Sequence, residues 1–259
     1  MTQKLPALFV GHGNPMNAID SNRFTEAWKR LAKSLPKPKS ILAISAHWHS
    51  PEIAVTASPK PPTLHDFAGF PPALHRVNYP APGDPLLARR IQSLLNPLKV
   101  TLDSDRGLDH GVWSVLLHLY PAADIPVVQL SLDESKHPSF HFDLGAKLSP
   151  LRDEGVLILG TGNLVHNLQA VAWGVDVPEP YAWALRFEEN ARRLLVAGDF
   201  QKLLDYRTLG SDALLSVPTP EHLLPLFYVL ATKQANEPIS FPVEGFDRAA
   251  ISMLSVQVG

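Results

Sequence analysis

Three histidines follow short apolar segments, where α/β proteins place their ligand-binding residues. His12, His47 and His166 come after the segments LPALFV, SILAISA and GVLILG. The carboxyl ends of neighbouring strands in an open α/β sheet share one cleft, so these imidazoles are expected to converge. Neutral imidazole is the commonest protein ligand for zinc and iron, and it also accepts protons near neutral pH. The sequence therefore predicts a histidine site for metal binding or proton transfer.

Two further positions supply candidates for the same cleft. Glu221 and His222 stand together after Pro218-Thr219-Pro220, and His110 follows Asp109 at the expected start of a helix. Two histidines with a carboxylate form the usual triad of non-haem iron oxygenases, so either member of the Glu221-His222 pair is a candidate third ligand. Because single histidines are more often surface or core residues, we predict ordinary structural roles for His49, His75, His118, His137 and His141.

The elements that would position these side chains alternate between strand and helix. Short apolar runs predict strands over Leu5–Val10, Ser40–Ala46, Glu52–Ala57, Val100–Leu102, Pro126–Leu130, Gly155–Gly160 and Ile251–Val258. Helical spacing predicts helices over Asn22–Leu35, Pro85–Leu95, Gly111–Leu119, His141–Leu151, Pro180–Ala197, Asp199–Asp205 and Glu221–Ala231. This alternation predicts a single compact α/β domain over residues 1–259, with a mostly parallel or mixed central sheet covered by helices on both faces.

One long segment fits neither a strand nor a helix. Pro59–Pro85 contains eight prolines, yet it also carries Phe67 and Phe70, which a solvated linker would not need. We interpret it as an ordered loop over the domain, and as a lid on the cleft. Its residues His65, Asp66, Phe67 and Phe70 are accordingly predicted to border the substrate.

Composition excludes several classes of protein. The net charge is −2 with no basic run, so a nucleic-acid or anionic-membrane partner has no electrostatic support. The absence of cysteine rules out disulfides, zinc–thiolate sites and thiol nucleophiles. No apolar stretch approaches the roughly 20 residues that cross a bilayer, and no signal-peptide core is evident, so a cytoplasmic location is expected.

Familiar catalytic motifs of other classes are missing. The turn Gly160–Asn163 lacks the glycine spacing of dinucleotide sites and the lysine of a P-loop. The chain has neither a Gly-x-Ser-x-Gly elbow nor a His-Glu-x-x-His motif, so serine hydrolases and the common zinc proteases have no support.

Seven segments in order along the chain resemble the class III extradiol dioxygenases of the 4,5-DOPA dioxygenase type. Any one of them is a weak signal, whereas seven together are specific. They are Pro6–Pro15, Ile44–Trp48, Asp66–Pro71, Tyr79–Asp84, Leu108–Trp113, Gly160–Asn167 and Pro218–His222.

The resemblance implies a mononuclear metal site and ring opening of a small aromatic diol, such as DOPA, by O2. It suggests His12, His47 and His222 as ligands, and His166 as a fourth ligand or the acid–base residue. Fe(II) is the metal expected for this chemistry, and Zn(II) is an ion that such sites are often found holding. His110 is expected to hydrogen-bond bound oxygen or developing negative charge.

Two other functional hypotheses use the same residues. A zinc hydrolase could activate water with these histidines. A non-enzymatic binding protein like those of the Memo family could share the fold, although the presence of all five histidines disfavours it. His65 departs from the resemblance, since an aromatic residue is expected there. The sequence leaves the oligomeric state open.

Overall fold

The computed structural model describes residues 4–175 and 179–259. Within these ranges the strands are β1 Ala7–Gly11, β2 Ser40–His49, β3 Ala54–Thr56, β4 Thr101–Asp103, β5 Val127–Leu132, β6 Val156–Gly162, β7 Ile239–Ser240, β8 Phe246–Asp247, β9 Ile251–Ser252 and β10 Val256–Val258. The α-helices are α1 Arg23–Ser34, α2 Pro72–His75, α3 Pro85–Leu95, α4 His110–Leu119, α5 Pro138–Leu148, α6 Ala182–Ala197, α7 Phe200–Leu204, α8 Ser211–Ser216 and α9 Leu224–Leu230. None of these helices combines the length and hydropathy needed to cross a bilayer.

A mixed sheet organises the chain. Its eight strands lie in the order β4-β3-β5-β2-β6-β1-β10-β7. The central strands β5, β2, β6 and β1 are parallel, whereas β10 and β7 extend the sheet antiparallel at one edge. Parallel strands are buried on both faces, which explains why their sequences are continuous apolar runs. The predicted α/β class with a mixed sheet is confirmed.

Helices cover both faces of this sheet. Alternate residues of β1 point to opposite sides, so that Leu8 and Val10 pack in one core and Ala7 and Phe9 in the other. The first core is closed by apolar residues of α1 and α4, and the second by those of α3, α5, α6 and α9. The predicted covering of both faces is therefore confirmed.

The predicted C-terminal strand, Ile251–Val258, is wrong as a single element. Ile251 and Ser252 form β9, which pairs with β8 in a separate two-stranded sheet, and only β10 joins the main sheet. Between them the backbone N–H of Met253 donates to Gly245 O, and that of Ser255 donates to Val243 O. These two backbone N–H groups thus find their hydrogen-bond acceptors in a preceding loop instead of in the main sheet. The predicted strand is therefore divided into β9 and β10.

Several predicted boundaries shift at the functional end of the sheet. The strand predicted over Ser40–Ala46 extends to His49, so His47 lies inside β2 rather than after it. The helix predicted from Glu221 begins at Leu224, because residues 221–223 form a turn. The helix predicted over His141–Leu151 runs from Pro138 instead, since proline fits the first helical turn, where its missing N–H is not needed.

His141, a buried histidine of α5, links that helix to α9. His141 Nδ1 lies 3.1 Å from the Tyr228 hydroxyl, and Nε2 lies 3.0 Å from Asp133 O. Burial lowers the pKa of His141 to about 4, although the Asp133 carbonyl opposes the shift. Between about pH 6.5 and pH 4, His141 is therefore protonated in the unfolded chain but neutral in the native state. The stabilisation by neutral His141 is complete above about pH 6.5 and is lost as the pH falls towards 4.

We expect His141→Gln to weaken the acid sensitivity of the fold. Between pH 7 and pH 4.5, the free energy of unfolding of the wild type should fall by about 2–3 kcal/mol more than that of the variant. Urea unfolding of both metal-free proteins at the two pH values measures the difference. The other buried histidines are common to both proteins, so equal losses would contradict the assignment.

Candidate metal centre

Three imidazoles from separate parts of the chain meet at the carboxyl end of the sheet. His12 follows β1, His47 lies near the end of β2, and His222 occupies the turn before α9. Because one strand of the described sheet, β6, separates β1 from β2, their ends lie close together. One ring nitrogen from each histidine lies within 4.8 Å of the others, and the Nε2 atoms of His12 and His47 are 3.0 Å apart.

The geometry and charge of this triad fit a divalent metal. Two nitrogens that bind one ion at right angles, each about 2.1 Å from it, are about 3.0 Å apart. Burial and the neighbouring histidines lower the pKa of His12 and His222 well below 6.5, and burial and His110 lower that of His47 to about 3. All three rings are therefore neutral near pH 7, which is the form that binds metal.

A close backbone approach delivers His222 to this cluster. The backbone N–H of Asn163 donates to His222 O at 2.9 Å. A Cβ atom on Gly162 would lie only 2.1 Å from that same carbonyl oxygen. The turn that carries His222 can therefore pack on the end of β6 only because glycine stands there.

Glu221 lies beside His222 and contacts its ring. Its Oε1 atom lies 3.3 Å from His222 Nδ1 and accepts a hydrogen bond from the Thr219 hydroxyl at 2.7 Å. A carboxylate in this position orients an imidazole whose other nitrogen binds a metal. Glu221 and His222 also form a group with His166 that could hold an ion, but only His222 joins His12 and His47.

His166 lies against the ring of His222. Its backbone N–H donates to Ser216 O at 2.8 Å. Its ring stacks on that of His222, with centroids 3.5 Å apart and planes within 11°. Burial lowers the pKa of His166 to about 4, while the charge of Glu221 opposes the shift. His166 is thus a neutral imidazole next to the triad but outside it.

The proline-rich loop reaches the cluster through His110. The centroid of the His110 ring lies 4.1 Å from that of His47, and Asp66 Oδ2 lies 3.0 Å from His110 Nδ1. The Phe67 ring stands nearly perpendicular to that of His110 with 5.6 Å between centroids, and Phe70 packs on Phe67 at 5.4 Å. His65 Nε2 lies 2.9 Å from the carbonyl oxygen of Val77 and is held within the loop. The loop is irregular apart from the single turn of α2.

A buried polar network beneath His47 was not predicted. Asp109 is completely buried, where it accepts hydrogen bonds from the Ser45 hydroxyl at 2.8 Å and from the Gln129 amide. The Ser45 hydroxyl accepts from the backbone N–H of His47 at 3.1 Å, and Arg106 donates to His47 O at 3.2 Å. A serine inside an apolar strand and an aspartate before His110 were the signals that could have revealed this network.

The remaining histidines contact groups other than the rings of His12, His47 and His222. His118 Nε2 lies 2.6 Å from Asn17 O, His137 accepts from the N–H of Ser139, and His49 lies 3.2 Å from Glu134. His75 is exposed on α2. Their predicted structural roles agree with these contacts.

Comparison with known proteins supplies the chemical context. Residues 6–249 match the family model described as the catalytic LigB subunit of aromatic ring-opening dioxygenase. The chain is 49% identical to 4,5-DOPA dioxygenase extradiol of Escherichia coli, over 99% of this chain and 95% of that protein. It is 40% identical to the enzyme of that name from Beta vulgaris, over 88% of this chain and 87% of the relative.

A solved structure shares the whole fold. An uncharacterized protein from Escherichia coli superposes with a TM-score of 0.86 at 46% sequence identity, and the match covers 98% of this chain and all of that one. The resemblance drawn from seven short segments thus extends along nearly the entire chain. With neutral histidines gathered at the carboxyl end of its sheet, the chain belongs to the LigB family of aromatic ring-opening dioxygenases, in its 4,5-DOPA extradiol branch.

Proposed function

We propose that this extradiol dioxygenase opens the ring of a DOPA-like catechol with O2 to give a muconic semialdehyde of the seco-DOPA type. The observation that carries the proposal is the meeting of the three neutral imidazoles of His12, His47 and His222 in a chain of this family. One divalent ion, Fe(II) for turnover, would be held by these three histidines. When bound, such an ion would supply a positive charge that lowers the pKa of a catechol hydroxyl, and a path for electrons between the diol and O2.

His166 is the proposed acid–base residue. Its ring is neutral near pH 7, so it can accept the proton that a catechol loses on binding. The negative charge of the bound diol would then raise the basicity of the imidazole, because an adjacent anion favours the charged form. His166 keeps this proton beside the ring being opened and can return it to the product.

His110 and the loop complete the proposed substrate side. A proton taken up at Nε2 from the second hydroxyl of the diol would let His110 donate a hydrogen bond to O2 or to the negative charge that develops during the reaction. Phe67 and Phe70 supply apolar surface against which an aromatic ring can pack. His65 and Asp66 lie on the same loop, where His65 contacts the carbonyl oxygen of Val77 and Asp66 contacts His110.

The third ligand is proposed to be His222 rather than Glu221. Adjacent residues in a helical turn point about 100° apart, so one of the pair faces the ion while the other supports it. We expect His222→Gln to lose most of its metal, whereas Glu221→Gln keeps it, because Glu221 contacts only the far nitrogen of the His222 ring. Elemental analysis after dialysis against a weak chelator measures both. The opposite pattern would make this a glutamate-ligated site.

Reconstitution without oxygen tests the function itself. The metal-free protein is loaded with Fe(II) or Zn(II) under anaerobic conditions, mixed with L-DOPA, and then exposed to air. We expect the Fe(II) protein alone to consume one O2 for each catechol and to form a yellow product. Turnover by the Zn(II) protein without O2 uptake would instead support the zinc hydrolase. Inertness of both forms would leave a Memo-like binding protein, and the relatives named above favour neither alternative.

A further inference from the structure

The carboxylate of Asp66 contacts His110 at two points. Oδ1 accepts a hydrogen bond from the backbone N–H of His110 at 2.9 Å. Oδ2 lies 3.0 Å from His110 Nδ1, in a contact that lacks the linearity of a strong hydrogen bond. Asp66 thereby holds both the ring and the backbone of the residue that opens α4, although 44 residues separate the two in sequence.

The charge of Asp66 selects one tautomer of the imidazole. Burial would raise the pKa of Asp66, but its contacts with His110 outweigh this effect and lower the pKa to about 2. The group is therefore a carboxylate near neutral pH. An anion beside Nδ1 favours a proton on that nitrogen, which leaves the lone pair of a neutral ring on Nε2.

The opposite nitrogen remains available to a ligand. Among the described residues, Nε2 of His110 makes no hydrogen bond, whereas the buried Nδ1 lies 3.0 Å from Asp66 Oδ2. The centroid of this ring lies 4.1 Å from that of His47 and 5.6 Å from that of Phe67, whose plane is nearly perpendicular to it. The Asp66 side chain is itself only 23% exposed, and its two oxygens already face His110.

We propose that Asp66 is a positioning residue, which fixes the orientation and the Nδ1–H tautomer of His110 and acts on the reaction through that ring instead of touching the substrate. The kinetic consequence rests on the dioxygenase function proposed above. The tautomer itself does not, because it is a property of the protein without substrate. The sequence-based expectation that Asp66 borders the substrate directly is the competing role.

Asp66→Asn is the decisive variant for the tautomer. The asparagine oxygen can still accept from the backbone N–H of His110, but its amide would offer N–H groups to Nδ1, so the ring proton should move to Nε2. Two-bond ¹H–¹⁵N correlation spectra of the metal-free protein report the position of that proton. We expect Nδ1–H in the wild type and Nε2–H in Asp66→Asn. Asp66→Glu keeps a carboxylate and should restore Nδ1–H. An unchanged tautomer in Asp66→Asn would overturn the proposal.

Kinetics separate positioning from substrate binding. With the Fe(II)-loaded protein and L-DOPA, we expect Asp66→Asn to lower kcat by about 10–100-fold, the usual loss for a residue that orients a functional histidine. KM should change by less than about 3-fold. The double variant Asp66→Asn/His110→Gln should have the same kcat as His110→Gln alone, since a residue acting through His110 has no effect once that ring is gone. The surface variant Asp124→Asn, which removes a carboxylate paired with Lys37, should match the wild type.

Failure of the positioning role of Asp66 and failure of the proposed dioxygenase function give different results. Losses that multiply in the double variant, or a large rise in KM, would mean that Asp66 contacts the substrate and would overturn the positioning role. A wild type that fails to cleave catechols would refute the proposed function, while the spectra of Asp66→Asn and Asp66→Glu would still decide the tautomer. Thermal unfolding of each variant verifies that it is folded, and Asp66→Glu should recover turnover along with the tautomer.

Discussion

Replacing His12 and His47 together by alanine is expected to abolish metal binding. The wild type should carry about one divalent ion per chain, because one set of three neutral imidazoles is arranged for it. Loss of residues that merely support a ligand costs 10–100-fold in metal affinity, so loss of a ligand should cost more than about 100-fold. Each single alanine variant should already lose most of its metal and its dioxygenase turnover.

Elemental analysis and Fe(II) titration of the apoprotein measure this result. His137→Gln is the matched control, because it removes an exposed imidazole at the start of α5 and leaves the cluster intact. The control should keep its full metal content. If the double alanine variant did so as well, the ion would be bound elsewhere and the assignment would be wrong.

Replacing His166 by glutamine is expected to separate chemistry from metal binding. Loss of a general acid–base group lowers turnover by roughly 10²–10⁴-fold. The metal should stay, because His166 stacks on His222 without joining the group formed by His12, His47 and His222. The variant should therefore bind one ion and a catechol, yet cleave the catechol slowly.

Metal content and single-turnover kinetics of His166→Gln distinguish the two roles proposed for this residue. Loss of the ion would make His166 a fourth ligand. Turnover equal to that of the wild type would exclude both roles. Because glutamine can still hydrogen-bond but cannot take up a proton near neutral pH, a packing defect is a poor explanation for a loss confined to kcat.

Much of the architecture could be predicted from local patterns. The apolar runs before His12, His47 and His166 have the length and composition of buried strands, and the parallel sheet brings their carboxyl ends together. It could therefore be predicted from the expected strands and the residue types that histidines gather at this end of the sheet. Boundaries were less predictable, as at β9 and β10, where hydrogen bonds from Met253 and Ser255 to the preceding loop overrode an apolar pattern.

The sequence by itself determined the class of fold, the family and the candidate set of histidines, because strand burial and motif order are encoded in short continuous segments. Only the tertiary structure decided which member of the Glu221-His222 pair meets His12 and His47, since that depends on how a turn packs against Gly162. The partnership of Asp66 with His110 was likewise decided in three dimensions. A proline-rich loop has no periodicity from which such a contact can be inferred, and its position depends on what it packs against.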